Sequence, residues 1–359
     1  MSAVAAIGSP GSTSSVRDHA VCQAPEETPQ RITGPLQRPA PRGVRAVRDG
    51  PVASSRSGRG RGGESLHRGD HRGAVGPQAF GVPGRPVGQR PQGRGGVGPR
   101  GGQSLVQASC GRCDYCRENR PLTGQTAMNC PGARTTGFSV QGGHAEYIAV
   151  TAAGTVLLPD GLAYEDAAPM MCAGYTTWSG LRDASPRPHE KVAVVGIGGL
   201  GHVAIQMAKA SGFETIALTH SPDKHDLAAR LGADHVVANG EELRDLGGTD
   251  VLLITTNAFD AAEEAMTGLR PDGRVVLSGL DFTRPFSISS EGVPFHMMRQ
   301  QVIGSTHGGQ HYLSEVLDLA AKGKVKPITE TFPLDRATEA YDRLSSGKMR
   351  FRGVLTPHA

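Results

Sequence analysis

The sequence predicts an α/β protein built on a doubly wound parallel sheet. Three observations lead to this fold class: apolar strands alternate with amphipathic helices from about residue 164 onward, a glycine-rich turn joins one of these strands to its helix, and four cysteines cluster between residues 110 and 130. Strands that alternate with helices form βαβ units, and the strands of such units run parallel. The first 104 residues show none of these patterns.

Residues 1–104 are rich in glycine, arginine and proline, and their apolar residues follow neither a 2.0 nor a 3.6 period. They carry fifteen Arg, no Lys and a balance of +9 within a whole-chain charge of +4, so the rest of the chain is acidic. A segment of this kind buries too little apolar surface to offset its chain entropy, and one interpretation is disorder. A second is an Arg/Gly-rich nucleic-acid tail, but Phe80 is its single aromatic residue and such tails interleave aromatics.

A third interpretation is that this segment is translated out of frame. Lys, Asn, Tyr and Trp are all absent from residues 1–104, as expected when GC-rich DNA is read in a wrong frame. At the junction, the codons of Gly98 to Ser104, shifted forward by one base, permit Asp-Arg-Val-Gly-Val-Ser, which alternates as a strand does. The hypothesis places the true frame from about Leu105, and resequencing the DNA around codon 104 tests it.

From residue 105 the elements follow in order. Apolar alternation predicts a strand over 142–150 and a second strand with a turn over 154–162. Acidic residues ahead of an apolar face predict a helix over 164–184. A buried strand, a glycine turn and an amphipathic helix follow over 191–212, and further strand and helix patterns alternate to about residue 310. One more helix and strand complete the predicted elements.

Gly196, Gly198 and Gly201 form a G-x-G-x-x-G pattern directly after the apolar strand 192–195 and at the start of a helix. In such a turn the first glycine allows a tight bend, the second lets backbone approach a pyrophosphate, and the third permits close helix–strand packing. Unpaired amides and the dipole at the helix N-terminus favour phosphate. With Gly199 and Leu200 completing the turn, the pattern predicts a dinucleotide site; the alternative is a purely structural glycine turn.

The end of the next strand indicates which dinucleotide is preferred. An NAD site usually places Asp or Glu about 20 residues after the glycines, and Thr219 stands there instead. Without that negative charge, and with His220, Ser221 and Lys224 nearby, the pocket is expected to accept a 2′-phosphate. We therefore expect NADP(H) rather than NAD(H); the alternative is that Lys224 is a solvated residue at a helix start.

Cys110, Cys113 and Cys116 form C-x2-C-x2-C, and Cys130 follows. Four thiolates suit a closed, structural zinc site in a reducing compartment better than a disulfide framework. The alternative is that Cys130 is a free thiol and the site is incomplete. No apolar run approaches the ~18 residues of a membrane span, so we expect no membrane partner. Metal-binding cysteines fit a reducing compartment, so we expect a cytoplasmic protein. The acidic balance after residue 104 does not indicate a nucleic-acid partner.

Over about residues 105–356 the chain resembles the zinc-dependent medium-chain alcohol dehydrogenases, in particular the cinnamyl-alcohol-like branch that uses NADP. The resemblance rests on CGRCDYC, GGHAEY, AAPMMCAGYTTW, VAVVGIGGLGH and GKMRFRGVL, which occur in the family's order. It implies the remainder of a GroES-like catalytic domain over 105–165, whose N-terminal part is not recognisable. It further implies a Rossmann domain for NADP over 166–310, a C-terminal helix and strand over 311–359 that return to the catalytic domain, and a homodimer.

The resemblance also assigns site residues. The four clustered cysteines match the family's structural zinc lobe, although the thirteen residues between Cys116 and Cys130 are more than the family usually has. Lengthening such a loop costs only about 0.5 kcal/mol of closure entropy, whereas structural zinc contributes ~10 kcal/mol, so we expect the ligand set to remain intact. Cys172 matches a ligand of a catalytic zinc, Thr176 a position against the nicotinamide, and Arg350 a late basic residue near the cofactor.

The other catalytic-zinc ligands of the family lie in its first hundred residues, and neither of their motifs is present here. Cys22, His67 and His71 are not assigned as ligands, since glycines and charges argue against a helix around the two histidines. The resemblance implies hydride transfer between a primary alcohol or aldehyde and NADP(H), with zinc stabilising the alkoxide. One matching cysteine cannot hold a catalytic zinc, so the alternative is a catalytically impaired dinucleotide-binding protein.

Overall fold

A six-stranded parallel sheet lies at the centre of the part of the chain that the computed structural model describes. That part comprises residues 100–117, 129–279, 281, 283–289 and 294–357, with the backbone of 79–81 and 85–86. It belongs to one compact unit. A second unit, Gly11–Val75, lies outside the described residues, as does most of the segment for which the sequence leaves three interpretations open.

Within these ranges the chain forms fifteen strands and nine α-helices. The strands are β1 (Ala79–Gly81), β2 (Arg85–Pro86), β3 (Gly101–Gln103), β4 (Val106–Ala108), β5 (Arg134–Thr135), β6 (Ile148–Ala149), β7 (Thr155–Leu157), β8 (Lys191–Val195), β9 (Glu214–Leu218), β10 (His235–Val237), β11 (Thr249–Ile254), β12 (Leu269–Leu277), β13 (Gln301–Gly304), β14 (Thr329–Pro333) and β15 (Arg352–Thr356). The helices are α1 (Asp114–Arg117), α2 (Tyr164–Pro169), α3 (Tyr175–Ala184), α4 (Gly201–Ala210), α5 (His225–Arg230), α6 (Gly240–Asp245), α7 (Phe259–Ala265), α8 (Gln310–Ala321) and α9 (Ala337–Ser345).

The central sheet has the order β10-β9-β8-β11-β12-β13, so the chain winds outward from β8 in one direction and from β11 in the other. All its ladders are parallel, and Val195 of β8 stands opposite both Leu218 of β9 and Ile254 of β11. The strand order reverses between β8 and β11, and ligands of such sheets bind beside the carboxyl ends of the strands at that point. The predicted doubly wound Rossmann sheet is confirmed.

Both faces of the sheet are buried, which explains the continuous apolar run of β8. Val192 and Val194 pack into one hydrophobic cluster, and Ala193 and Val195 pack into another on the opposite face. Successive strand side chains point to opposite faces, so a strand covered on both sides needs apolar residues at every position. None of the helices in the described ranges has the length and hydropathy that a membrane crossing requires.

The helix predicted over 164–184 forms as three consecutive pieces. After α2 the chain makes one π-helical turn, Met170–Gly174, and then continues as α3. Pro169 has no backbone N–H and cannot continue the i→i−4 hydrogen bonds, and the amide of Tyr175 bonds instead to the carbonyl of Met170, five residues back. Wider turns of this kind are frequent at functional sites, and this one carries Cys172.

The described strands that precede the central sheet, β1 to β7, have two or three residues each. β3 pairs with β7, β4 with β5 and β1 with both β2 and β6, all antiparallel, while β14 and β15 form a parallel pair. The strand predicted over 142–150 is limited to Ile148–Ala149, because only these two residues have ladder partners, on β1. The antiparallel ladders of β1 to β7 have two or three residue pairs each, whereas the ladder between β8 and β9 has five. The periodicity also did not predict β10 and α6, which are both short.

Candidate dinucleotide site and metal lobe

The glycine turn after β8 has the geometry that each of its glycines was expected to provide. Gly196 has a φ of +88°, which L side chains rarely adopt, and a Cβ on Gly201 would lie 1.9 Å from the carbonyl oxygen of Gly196. Among the described residues, apart from its chain neighbours, a Cβ on Gly198 would meet no atom within 4 Å. Gly196 therefore permits the bend, Gly201 permits contact between α4 and β8, and Gly198 presents bare backbone to open space. A phosphate can approach there at the positive end of α4.

Two side chains that the sequence did not single out brace this turn. The Thr255 hydroxyl donates to the carbonyls of Val195 and Gly196 at 2.9 and 2.7 Å. His202 is fully buried, and its Nδ1 lies 3.0 Å from the carbonyl oxygen of Gly198, while its Nε2 accepts from the amide of Ile328 at 3.1 Å. Because Nε2 accepts, the proton sits on Nδ1 and donates to Gly198. Burial lowers the pKa of His202 to about 4, so the ring is neutral.

The residues predicted to select the cofactor lie at the end of β9. Thr219 is buried, and its hydroxyl accepts from the amide of Ser221 at 3.2 Å. His220 is exposed and directed towards α7, with its Nε2 4.0 Å from the Glu264 carboxylate. Lys224 ends a short 3-10 helix and is half-buried. The structure thus places these four residues on one turn beside the carboxyl end of the sheet.

Two arginines of the C-terminal segment approach the same region. Arg350 lies 3.5 Å from the Asp223 carboxylate, so it reaches the turn after β9 rather than the glycine turn. Arg352 lies at the glycine turn, since a Cβ on Gly199 would be 2.8 Å from its Nη1. Within the described residues the Arg352 guanidinium has no ion-pair or side-chain hydrogen-bond partner. No sequence pattern indicated a role for Arg352, although it stands two residues after Arg350 in the same RFR motif.

Cys172 and Thr176 lie on the π-helical turn and the first turn of α3, and both are half-buried. Burial lowers the pKa of Arg352, and the Cys172 side chain acts on that pKa in the opposite direction, which places the thiol within electrostatic range of this arginine. The turn that carries Cys172 and the glycine turn therefore both lie near Arg352.

A second buried histidine supports the Cys172 turn. The ring of His307 stacks on Tyr175 with centroids 4.3 Å apart, and the Tyr175 hydroxyl donates to the carbonyl of Gly308. Burial lowers the pKa of His307 to about 4, while its hydrogen bond with the backbone of Cys172 acts in the opposite direction. Burial also raises the pKa of Tyr175. These contacts hold the loop after β13 against the Cys172 turn.

The four clustered cysteines converge as predicted. Their Sγ atoms all lie within 4.8 Å of one another, with Cys110 to Cys116 at 3.9 Å and Cys113 to Cys116 at 3.5 Å. Tetrahedral zinc with Zn–S bonds of ~2.3 Å sets its sulfurs ~3.8 Å apart, so the four thiols fit this ion. Most of the long segment between Cys116 and Cys130 lies outside the described residues, yet both cysteines take their places in the cluster.

Backbone amides prepare the sulfurs for a cation. Cys110 Sγ accepts from the amide of Cys113 at 3.3 Å, and Cys130 Sγ accepts from the amides of Cys110 and Gly132 at 3.4 and 3.3 Å. Backbone hydrogen bonds lower the pKa of Cys110 to about 6. Burial raises the pKa of Cys113 to about 12, and its neighbouring cysteines add to this rise. Four sulfurs this close carry full thiolate charge together only when a cation is bound among them.

Cys172 does not belong to a set of converging metal ligands within the described residues. Among the described residues, the four-cysteine cluster is the only set of three or more Cys, His, Asp or Glu side chains that converges on one point. A catalytic zinc needs three protein ligands and one open position. The described residues therefore fit a structural zinc and do not fit a catalytic one.

The fold and these sites together define the class of dinucleotide-binding proteins that carry a structural metal lobe. Comparison with known proteins narrows the class. Residues 199–322 match the family model described as zinc-binding dehydrogenase. An alcohol dehydrogenase of Geobacillus stearothermophilus is 38% identical over 265 residues, which cover 72% of this chain and 76% of that protein. An NADP-dependent alcohol dehydrogenase of Mycolicibacterium smegmatis is 34% identical over 265 residues, 72% of this chain and 75% of that protein.

A solved structure agrees with these relatives. The cinnamyl alcohol dehydrogenase of Sorghum bicolor superposes with a TM-score of 0.64 at 27% identity, covering 73% of this chain and 76% of that one. The chain belongs to the zinc-dependent medium-chain alcohol dehydrogenases. The predicted resemblance is confirmed, and the family brings with it zinc and a nicotinamide cofactor.

Proposed function

We propose that this protein is a zinc alcohol dehydrogenase or aldehyde reductase that transfers hydride between a primary alcohol or aldehyde and NADP(H). The observation that carries the proposal is the glycine turn at the switch point of the sheet, where Gly198 faces open space and the Arg352 guanidinium lies unpaired beside Gly199 within the described chain. Backbone amides, a helix N-terminus and a free guanidinium at one point suit a pyrophosphate.

The residues divide the work along the cofactor. The amides of Gly198, Gly199, Leu200 and Gly201 and the guanidinium of Arg352 bind the pyrophosphate. We assign Cys172 and Thr176 to the nicotinamide end, as the family resemblance implies, and the Cys172 turn lies near Arg352. When bound, the dinucleotide accepts or supplies the hydride. Since the described residues do not hold a catalytic zinc, no step of the reaction is assigned to such an ion.

The preference for NADP(H) rests on the turn after β9. No carboxylate stands at the strand end, and His220, Ser221, Lys224 and Arg350 surround the place of a 2′-phosphate with hydrogen-bond donors and positive charge. Asp223 is paired with Arg350, and that ion pair must open or rotate for the guanidinium to meet a phosphate. The relative from Mycolicibacterium smegmatis whose name states NADP dependence supports this preference. Titration with NADPH and NADH, followed by the fluorescence of the single tryptophan, Trp178, measures it directly.

The cysteine lobe is proposed as a structural zinc site. The four cysteines leave no position for substrate, so the zinc would stabilise the lobe that contains them. They are Cys110, Cys113, Cys116 and Cys130.

We also propose the domain limits 105–165, 166–310 and 311–359, a cytoplasmic location and a homodimer. For the homodimer, β13 is one of the two edge strands of the central sheet and is largely exposed.

A second candidate is a catalytically impaired dinucleotide-binding protein. Among the described residues, Cys172 alone matches a ligand of the family's catalytic zinc, and it belongs to no converging set of ligands. This observation favours the impaired protein. Zinc analysis of the purified chain, combined with an NADPH-linked aldehyde assay, separates the two. About two zinc ions per chain with turnover supports the enzyme. One zinc with cofactor binding and no turnover supports the impaired protein, and neither zinc nor cofactor binding contradicts both.

A further inference from the structure

His202 links the glycine turn to the segment that carries Arg352. Its Nδ1–H donates to the Gly198 carbonyl at 3.0 Å, and its Nε2 accepts from the amide of Ile328 at 3.1 Å. The carbonyl of Ile328 in turn accepts from the amide of Arg352 at 3.2 Å. The Arg352 side chain then returns to the glycine turn at Gly199. The contacts form a closed loop, in which the side chains of His202 and Arg352 both link the C-terminal segment to the glycine turn.

Packing fixes the imidazole within this closed loop. His202 is fully buried, and its ring stacks on Phe351 with centroids 5.0 Å apart and planes inclined by 14°. Phe351 is the residue next to Arg352, and its own amide also bonds to the carbonyl of Ile328. The imidazole is neutral although the Arg352 cation is near it. Only the nitrogen that carries no proton, Nε2, can therefore accept from the amide of Ile328.

We propose that His202 is a positioning residue for the dinucleotide pyrophosphate. The Gly198 carbonyl already accepts from the backbone amide of His202 at 3.2 Å, and the imidazole adds a second donor that keeps this carbonyl turned away from the ligand and the following amides towards it. His202 also holds the backbone of Arg352 at the distance from which the guanidinium reaches the same place. This inference rests on the proposed function, because it assigns His202 to the dinucleotide site proposed above.

The chain offers a matched control one helical turn further along α4. The Gln206 side chain binds the segment that contains Ile328. It donates to the carbonyl of Lys326 at 3.0 Å and accepts from the amide of Lys326 at 2.8 Å. It also donates to the backbone carbonyl of His202 at 2.8 Å, but among the described residues it has no hydrogen bond to residues 196–201. Gln206→Leu therefore loosens the same contact between helix and segment without touching the proposed pyrophosphate site.

Substitutions at His202 separate its two hydrogen bonds. His202→Asn places an amide nitrogen where Nδ1 stands and keeps the bond to Gly198. His202→Gln places an oxygen near the position of Nε2 and keeps the bond to Ile328. His202→Leu removes both bonds and keeps an apolar side chain of similar size. Each variant is first checked by circular dichroism and thermal unfolding, and only folded variants are compared.

The measurement is the Kd for NADPH and for two fragments, ADP-ribose, which contains the pyrophosphate, and AMP, which does not. In His202→Leu we expect the Kd for NADPH and ADP-ribose to rise about tenfold, since charge-assisted hydrogen bonds are misplaced, and the Kd for AMP to change less than about twofold. His202→Asn and His202→Gln should fall between wild type and His202→Leu. Gln206→Leu should lower the melting temperature without this selective loss.

A double-mutant cycle with Arg352→Gln completes the test. If His202 positions the guanidinium, its replacement costs less in the Arg352→Gln background than in the wild type. Fully additive effects, or equal losses for ADP-ribose and AMP, show a general structural role and overturn the inference. A wild-type chain that binds no NADPH overturns the proposed function, whereas wild-type binding that His202→Leu leaves intact overturns this inference alone.

Discussion

The central sheet differs in how it is stabilised from the metal lobe, by which we mean the described residues 100–117 and 129–158 with β1 and β2. Strands β8, β9 and β11 pair over four or five residues each and bury both faces, and the core around them is continuous. In the lobe, β4 pairs with β5 and β1 with β6 over two residues, and large apolar side chains such as Phe138 and Leu157 are 76% and 72% exposed. The sheet is stabilised by its own buried core, whereas the lobe has few buried apolar side chains to stabilise it.

This difference indicates where each region gets its stability. Burial of apolar surface at ~25 cal/mol per Å² maintains the sheet without any ligand. The lobe has little such surface, and small regions of this kind commonly rely on a metal for their fold. The four cysteines in the lobe stand where that metal would bind.

The largest expected effect tests this contrast. Removal of zinc by chelation, or Cys113→Ser, should unfold the region around the cysteines, the described residues 106–117 and 129–149, because a structural zinc contributes ~10 kcal/mol to its own region. The sheet should stay folded, and Val156 and Leu158 with it, since they pack into its core. Hydrogen exchange measured by mass spectrometry should then rise in the peptides around the cysteines and stay constant over β8 to β13. Cys172→Ser is the control and should retain the structural zinc. Equal protection of the lobe with and without metal contradicts the contrast.

Within the sheet region, two glycines of one turn should separate stability from binding. Gly201→Ala places a Cβ 1.9 Å from the Gly196 carbonyl oxygen, and such overpacking costs about 3 kcal/mol, seen as a lower melting temperature. The Cβ of Gly198→Ala meets no atom within 4 Å in the described part of the chain beyond its neighbours, so the melting temperature should match wild type while the affinity for NADPH falls. A destabilised Gly198→Ala protein contradicts the assignment of that face to a ligand.

Acid should act on the sheet region through His202. Burial and the nearby Arg352 charge lower its pKa from 6.5 to about 4, so between these values the unfolded chain binds the additional proton. The stability contributed by the neutral ring is complete above pH 6.5 and is lost as the pH falls towards 4, by about 3 kcal/mol in all. Urea unfolding at several pH values measures this loss. His202→Leu should show a shallower decline, and an unchanged decline would falsify the assignment.

The sequence could predict the sheet because each strand carries its own apolar run, and the glycine turn because its pattern lies within six consecutive residues, Gly196 to Gly201. It could also predict the cysteine cluster, whose spacing reflects the geometry of one ion. His202 and Arg352 escaped prediction because their roles depend on contacts between distant positions. His202 meets Ile328 across 126 positions of the chain, and no local period marks such a pair.

The lobe shows the complementary failure. The alternating pattern over 142–150 predicts a longer strand than Ile148–Ala149, since a pattern of side chains does not supply a partner strand. The hypothesis of an out-of-frame segment before Leu105 gives a physical reason, because the missing partners would come from that segment. It remains a prediction, which resequencing the DNA at codon 104 tests.

The smallest expected effect concerns the choice of cofactor at the end of β9. Thr219→Asp restores a carboxylate where an NAD site has one, and its charge should repel a 2′-phosphate while its oxygens accept from a ribose hydroxyl. We expect the Kd for NADPH to rise about tenfold, equivalent to ~1.4 kcal/mol, and the Kd for NADH to stay level or fall. Thr219→Asn, of the same shape without the charge, is the control. If both variants weaken NADPH equally, shape rather than charge sets the preference and the 2′-phosphate does not lie beside Thr219.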